Sequence, residues 1–120
     1  GEDIKIAYVL EQLGRSAEAV QYEEQYFAYL QQEESVYRDL GLAVYHASKG
    51  NKEQAMQALE TFANREACYQ FWFVMFIDKD PITEPLSTDP AYAAIIQQIQ
   101  DKFWARHQEM RTVLEAEGLL

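Results

Sequence analysis

Apolar side chains in the first 64 residues recur at intervals of three and four, the spacing of helices with one buried face. Ile6, Leu10 and Leu13 form a stripe, with Ala7 and Val9 beside it, and predict a helix over 3–13. Ala19, Val20, Tyr26, Phe27 and Leu30 give the inner face of a second helix running to about Gln32. A third is expected to start near Glu33 or Glu34. Val36, Leu40, Ala43 and Ala47 line one of its faces, and Tyr37, Val44 and Ser48 a neighbouring one. Ala55, Met56, Leu59 and Phe62 set the inner face of a fourth helix, fraying near Asn64. Residues 67–77 read ACYQFWFVMFI, with Gln70 the one strongly polar position. Periodicity alone does not separate a buried helix from a buried strand there. Its length, its few β-branched residues and its place after two hairpins favour a helix. Pro81 and Pro85 make 78–89 a loop. Beyond it Tyr92, Ile96, Ile99, Phe103, His107, Met110 and Leu114 continue the helical spacing towards Gly118, a last helix of some 27 residues.

Start and stop signals agree with these spans. Ser16 and the pair Asn51 and Gln54 suit N-caps of the second and fourth helices, the latter as a capping box. Asp89 followed by Pro90 is a strong start for the last helix. Gly14, Gly50 and Gly118 suit helix ends. The two turns are also copies of one another. LGRSAEA at 13–19 and KGNKEQA at 49–55 place Gly14 and Gly50, and likewise Ala19 and Ala55, 36 residues apart. On the same count Ala91, Ile95 and Ile99 follow Ala55, Leu59 and Ala63. The chain therefore reads as one domain over 1–120. Its units are about 1–32, about 33–64 and a degenerate third with the long helix at about 65–118, and terminal repeats are commonly atypical.

Two helices joined by a short Gly turn, with a small residue opening the second and a recurrence near 36, resemble tetratricopeptide repeats. Ala7 and Ala43 occupy the small position inside the first helix of each unit. Asp3 and Asp39 stand where the family has an aromatic, Tyr26 and Phe62 where it has a later small residue, and the closing Pro is missing from both units. The resemblance implies an all-α fold of antiparallel hairpins stacked as a short solenoid, capped by the long C-terminal helix. It also implies that a protein or peptide partner binds the concave face of the first helices. Carried over by position, that face holds Ile4, Lys5, Tyr8, Glu11 and Gln12 of the first unit and Tyr37, Leu40, Gly41, Val44 and Ser48 of the second. A chaperone-tail clamp is not implied, because Lys5 is the one basic residue among them and no Asn is present. The segment PLSTDPAYAAII at 85–96 is also similar to a Leu-x-x-Asp-Pro-x-aromatic ending on tetratricopeptide tails of bacterial multidomain regulators and nucleotide cyclases. Ala91 replaces the Arg often found after the Pro. That likeness, and a chain opening directly on a helix, suggest a piece of a larger regulatory protein.

Charge narrows the choice of partner. The formal charge is −10, with the acidity spread over both halves. A phosphate backbone or an anionic membrane surface would be repelled, so neither is expected as a direct partner. The longest apolar run, 71–77, is too short to span a bilayer. One cysteine, Cys68, precludes an internal disulfide and suits a reducing, cytoplasmic setting. Catalytic chemistry is not expected. His46 and His107 have apolar neighbours, no Gly-rich phosphate loop or zinc spacing is present, and the acidic loop at 78–89 lacks the calcium-loop pattern. No cofactor or metal is therefore expected. The long helix outruns a hairpin partner, so its distal stripe of Phe103, His107, Met110, Val113 and Leu114 needs cover from this chain or a second copy. A dimerising helical spacer is the alternative to a partner-binding module.

Overall fold

The computed structural model describes residues 3–35, 37–65 and 79–119. Its order is α1 (Asp3–Gln12), α2 (Ser16–Gln32), α3 (Tyr37–Ser48), α4 (Lys52–Asn64), a 3-10 turn (Glu84–Thr88) and α5 (Pro90–Ala116). No strand occurs among the described residues, and the fold is all-α. The expected helix at 67–77 and the side chain of Val36 lie outside the described residues.

The two short turns are the same structure. Gly14 and Gly50 have φ of +75° and +76°, left-handed values at which a Cβ is strained. In the first turn the Arg15 amide donates to the Leu10 carbonyl at 2.8 Å and the Gly14 amide to that of Glu11 at 3.0 Å. In the second, Asn51 donates to His46 at 2.9 Å and Gly50 to Ala47 at 3.1 Å. Each turn thus satisfies two carbonyls that a helix end would leave open. Ala19 and Ala55 follow, both wholly buried, and Ala7 and Ala43 are nearly so. Small side chains at these crossings let the paired helices approach closely.

Three start signals act differently from their sequence reading. Ser16 is the first helical residue rather than the cap, and its hydroxyl donates to Glu11 Oε2 at 3.0 Å. Asn51 does stand at the N-cap, yet its side chain makes no capping bond. Helix α3 begins at Tyr37, later than expected. Ser35 Oγ accepts from the Tyr37 amide. The Asp89–Pro90 start holds as read, with the Asp89 carboxylate accepting from the Ala91 amide at 2.9 Å.

The main core joins α3, α4, the 3-10 turn and the first half of α5, and takes in Ile4, Tyr26 and Leu30 from the first hairpin. Ile82 and Leu86 are buried in it, so the stretch read as a polar loop supplies two core anchors. Ala7, Leu10 and Ala19 form a small separate cluster. On α1 the buried face is Ile4, Ala7 and Leu10, while Ile6 and Leu13 of the predicted stripe are exposed. Val20 and Phe27 are likewise more exposed than expected.

Gly41 fixes how α2 meets α3. A Cβ there would collide with Leu30 Cδ2 and lie 3.1 Å from Tyr26 Oη. Tyr26 and Leu30 therefore rest in a notch made by the missing side chain. Gln98 donates to Asn64 Oδ1 at 2.7 Å, and Lys102 to the Arg65 carbonyl at 3.1 Å, tying α5 to the C-terminal end of α4. Beyond Phe103 no α5 residue is buried. The molecule measures 58 × 30 × 22 Å.

Candidate functional site

The first helices of both hairpins face one concavity of about 790 Å³. Ile4 and Lys5 of α1 and Tyr37, Leu40 and Val44 of α3 line one side. Tyr26, Tyr29 and Glu33 enter from the last turns of α2. Leu59, Leu86 and Ile96, all buried, form an apolar floor, and Lys79, Asp80, Pro81 and Thr83 add a further wall. That wall is a built turn. Asp80 Oδ1 accepts from the Ile82 amide at 2.9 Å, and Thr83 Oγ1 donates to the Asp80 carbonyl at 3.1 Å.

The groove is apolar at its base and carries both signs of charge. Lys5 and Lys79 are exposed, whereas Glu33 and Asp80 are half-buried. Tyr29 Oη donates to Glu33 Oε2 at 2.7 Å. That bond, helped by the Ser35 amide, holds the Glu33 carboxyl below the usual carboxylate range and lifts the Tyr29 phenol above its own. Burial, with smaller contributions from Tyr29 and Asp80, pushes the Tyr26 phenol up to about 12. Neutral aromatic hydroxyls over an apolar floor suit an amphipathic guest with hydrogen-bonding groups along one side.

Of the positions expected at a partner surface, Lys5, Tyr37, Leu40 and Val44 meet here, as do Ile4 and Gly41. The other four stand outside. Tyr8 is half-buried against the main core. Glu11 accepts from Ser16, Gln12 is exposed, and Ser48 donates to the Tyr45 carbonyl at 2.7 Å. At the far end of α5, Phe103 packs partly on the core, and His107 stacks on it with ring centroids 6.3 Å apart. Trp104, His107, Met110 and Val113 are exposed, and Leu114 is half-buried.

Sequence reading missed two ion pairs. Glu23 and Asp39 are buried in α2 and α3. Lys49 reaches Glu23 at 2.9 Å, and Arg65 pairs with Asp39. In both cases the cation comes 26 residues later, just past the end of the next helix, where the helix dipole also favours positive charge. The bond to Glu23 raises the Lys49 ammonium above its ordinary value.

Among the described residues no three of His, Cys, Asp and Glu gather to hold a metal ion, and no helix is long and apolar enough to cross a membrane. Compared with known protein families, with curated proteins and with solved structures, the chain matches none.

Proposed function

We propose that this chain is a tetratricopeptide-like module that recognises an extended or amphipathic peptide of a protein partner in the groove between α1, α3 and the 79–83 turn. The observation that carries the reading is the convergence of Lys5, Tyr37, Leu40 and Val44, from equivalent helices of two hairpins, on one concavity. The paired turns and the buried alanines at 36-residue spacing support the stacked-hairpin geometry behind it. An apolar floor with tyrosines and charges at the rim offers side-chain anchors and main-chain partners to a peptide. The test is selection of peptides from a displayed library on the immobilised chain. Tyr37→Ala and Val44→Glu should each weaken selected peptides by about tenfold or more, while Met110→Glu leaves them unchanged. If no peptide is selected, or if the groove variants bind as well as the parent, the reading fails.

The second reading is a helical spacer or dimerising arm. It is favoured by the exposure of Trp104, Met110 and Val113, at 49%, 56% and 58%, along the C-terminal half of α5. Light scattering separates it: a dimer that Met110→Asp splits supports it, and a monomer at high concentration removes it. The likeness of 85–96 to regulator and cyclase tails adds less. Leu86 and Tyr92 are core residues and Asp89 is the helix cap. Folding alone accounts for that pattern.

A further inference from the structure

The 36-residue register matches apolar and bridging side chains of the second hairpin, two of which touch the first, to positions on the first. On α3, Tyr45 lies with its ring centroid 4.9 Å from that of Phe27 on α2, and Leu42 is half-buried against the main core. Lys49 reaches Glu23 of α2, and Met56 is buried. Subtracting 36 gives Ile6, Val9, Leu13 and Val20. All four are apolar, yet they are 41%, 54%, 64% and 39% exposed. Single exposed apolar side chains are ordinary. Here Val9 and Leu13 stand at the register positions of Tyr45 and Lys49, the two side chains that bridge α3 to α2, and Ile6 lies on the same face. An end unit that closes a stack carries a polar outer face instead.

We infer that this flank of α1 is the docking face for one more helical hairpin, whose second helix lies on α1 as α2 lies on α3. The register also specifies the chemistry of that helix. Leu13 occupies the place of Lys49, so the incoming helix carries an apolar side chain where α2 has Glu23. Val9 occupies the place of Tyr45, so a large apolar or aromatic side chain is suited to the position of Phe27. A second copy of this chain cannot supply the face in the same manner, because its own α2 is already covered by α3. The inference stands on the hairpin register and does not require the groove to bind anything.

The test fuses a duplicate of residues 1–36 ahead of the whole chain, keeping the 36-residue spacing and carrying Glu23→Leu in the added copy. Amide exchange of the original α1 should slow by about tenfold or more, and the melting temperature should rise by about 4 °C or more. Val9→Lys with Leu13→Lys in the original unit should leave the unfused chain within about 2 °C of the parent and abolish both gains in the fusion. An α1 that exchanges as before overturns the inference, as does a gain that survives the two lysines. So does an unfused chain that is a dimer by light scattering and is split by those lysines, since a second copy would then own the face.

Discussion

The two hairpins begin from the same instructions and end in different surroundings. Their turns carry equivalent hydrogen bonds, and alanines sit at the same crossings. Yet the second hairpin is packed between the first and α5, whereas the first holds a small cluster of its own and leaves one flank of α1 open. Local geometry is thus written within each unit. Stability is written by the neighbours, through side chains that the turn motif does not specify.

The sharpest way to break this comparison is to remove one anchor from each hairpin. Phe62 is fully buried at the centre of the main core, and Phe62→Ala should cost about 3–5 kcal/mol in denaturant unfolding. Leu10→Ala, in the small cluster, should cost about 2 kcal/mol, at the low end for such changes. Equal losses would mean that the first hairpin is as well supported as the second.

The turns should behave alike. A Cβ at Gly14 or Gly50 meets nothing within 4 Å, so the penalty of Gly→Ala is purely that of the left-handed backbone. Each substitution should cost about 1–2 kcal/mol, and by the same amount in thermal unfolding. Unequal costs would mean that the turns are not the equivalent structures their hydrogen bonds indicate.

The smallest effect sharpens the comparison between matched positions. Tyr26 and Phe62 are 36 residues apart and both buried, but only the tyrosine titrates. Its folded value of about 12 lies above the unfolded value of about 10. Its contribution is therefore complete below pH 10 and is lost as pH rises through 12, amounting to about 1 kcal/mol by pH 11. Tyr26→Phe should remove that part of the alkaline loss. A residual decline belongs to Tyr29 and Lys49, whose raised values give contributions complete below the unfolded values of about 10 and 10.4 and lost as pH rises through the folded ones. Denaturant unfolding of both proteins at pH 8, 10 and 11 measures the difference.

Much of the fold was legible because helix periodicity and Gly turns act over a few residues. Asp89 and Pro90 announced a 27-residue helix at its correct start, and the three turn glycines marked helix ends at left-handed φ. What escaped depends on contacts distant in the chain. The α1 stripe was drawn through Ile6 and Leu13, since spacing reveals that a helix has an apolar face but not which neighbour covers it. Ile82 and Leu86 were hidden among prolines and polar residues. Their separation of four, across a polar stretch, was the available signal. Glu23 and Asp39 read as ordinary surface acids until α3 and α4 delivered a cation to each. The groove was half legible: the positions on α1 and α3 follow from the repeat, but the 79–83 wall does not.

Beyond Phe103 the side chains of α5 are exposed except Leu114, which is half-buried. A lone helix of that length is marginal in water, because nucleation is costly and each added residue gains little. Amide exchange is therefore expected to be faster at the Gly118 end of α5 than in the hairpins, and equal protection would contradict this. One continuous helix thus spans two surroundings, a stem seated in the core and a far end facing solvent.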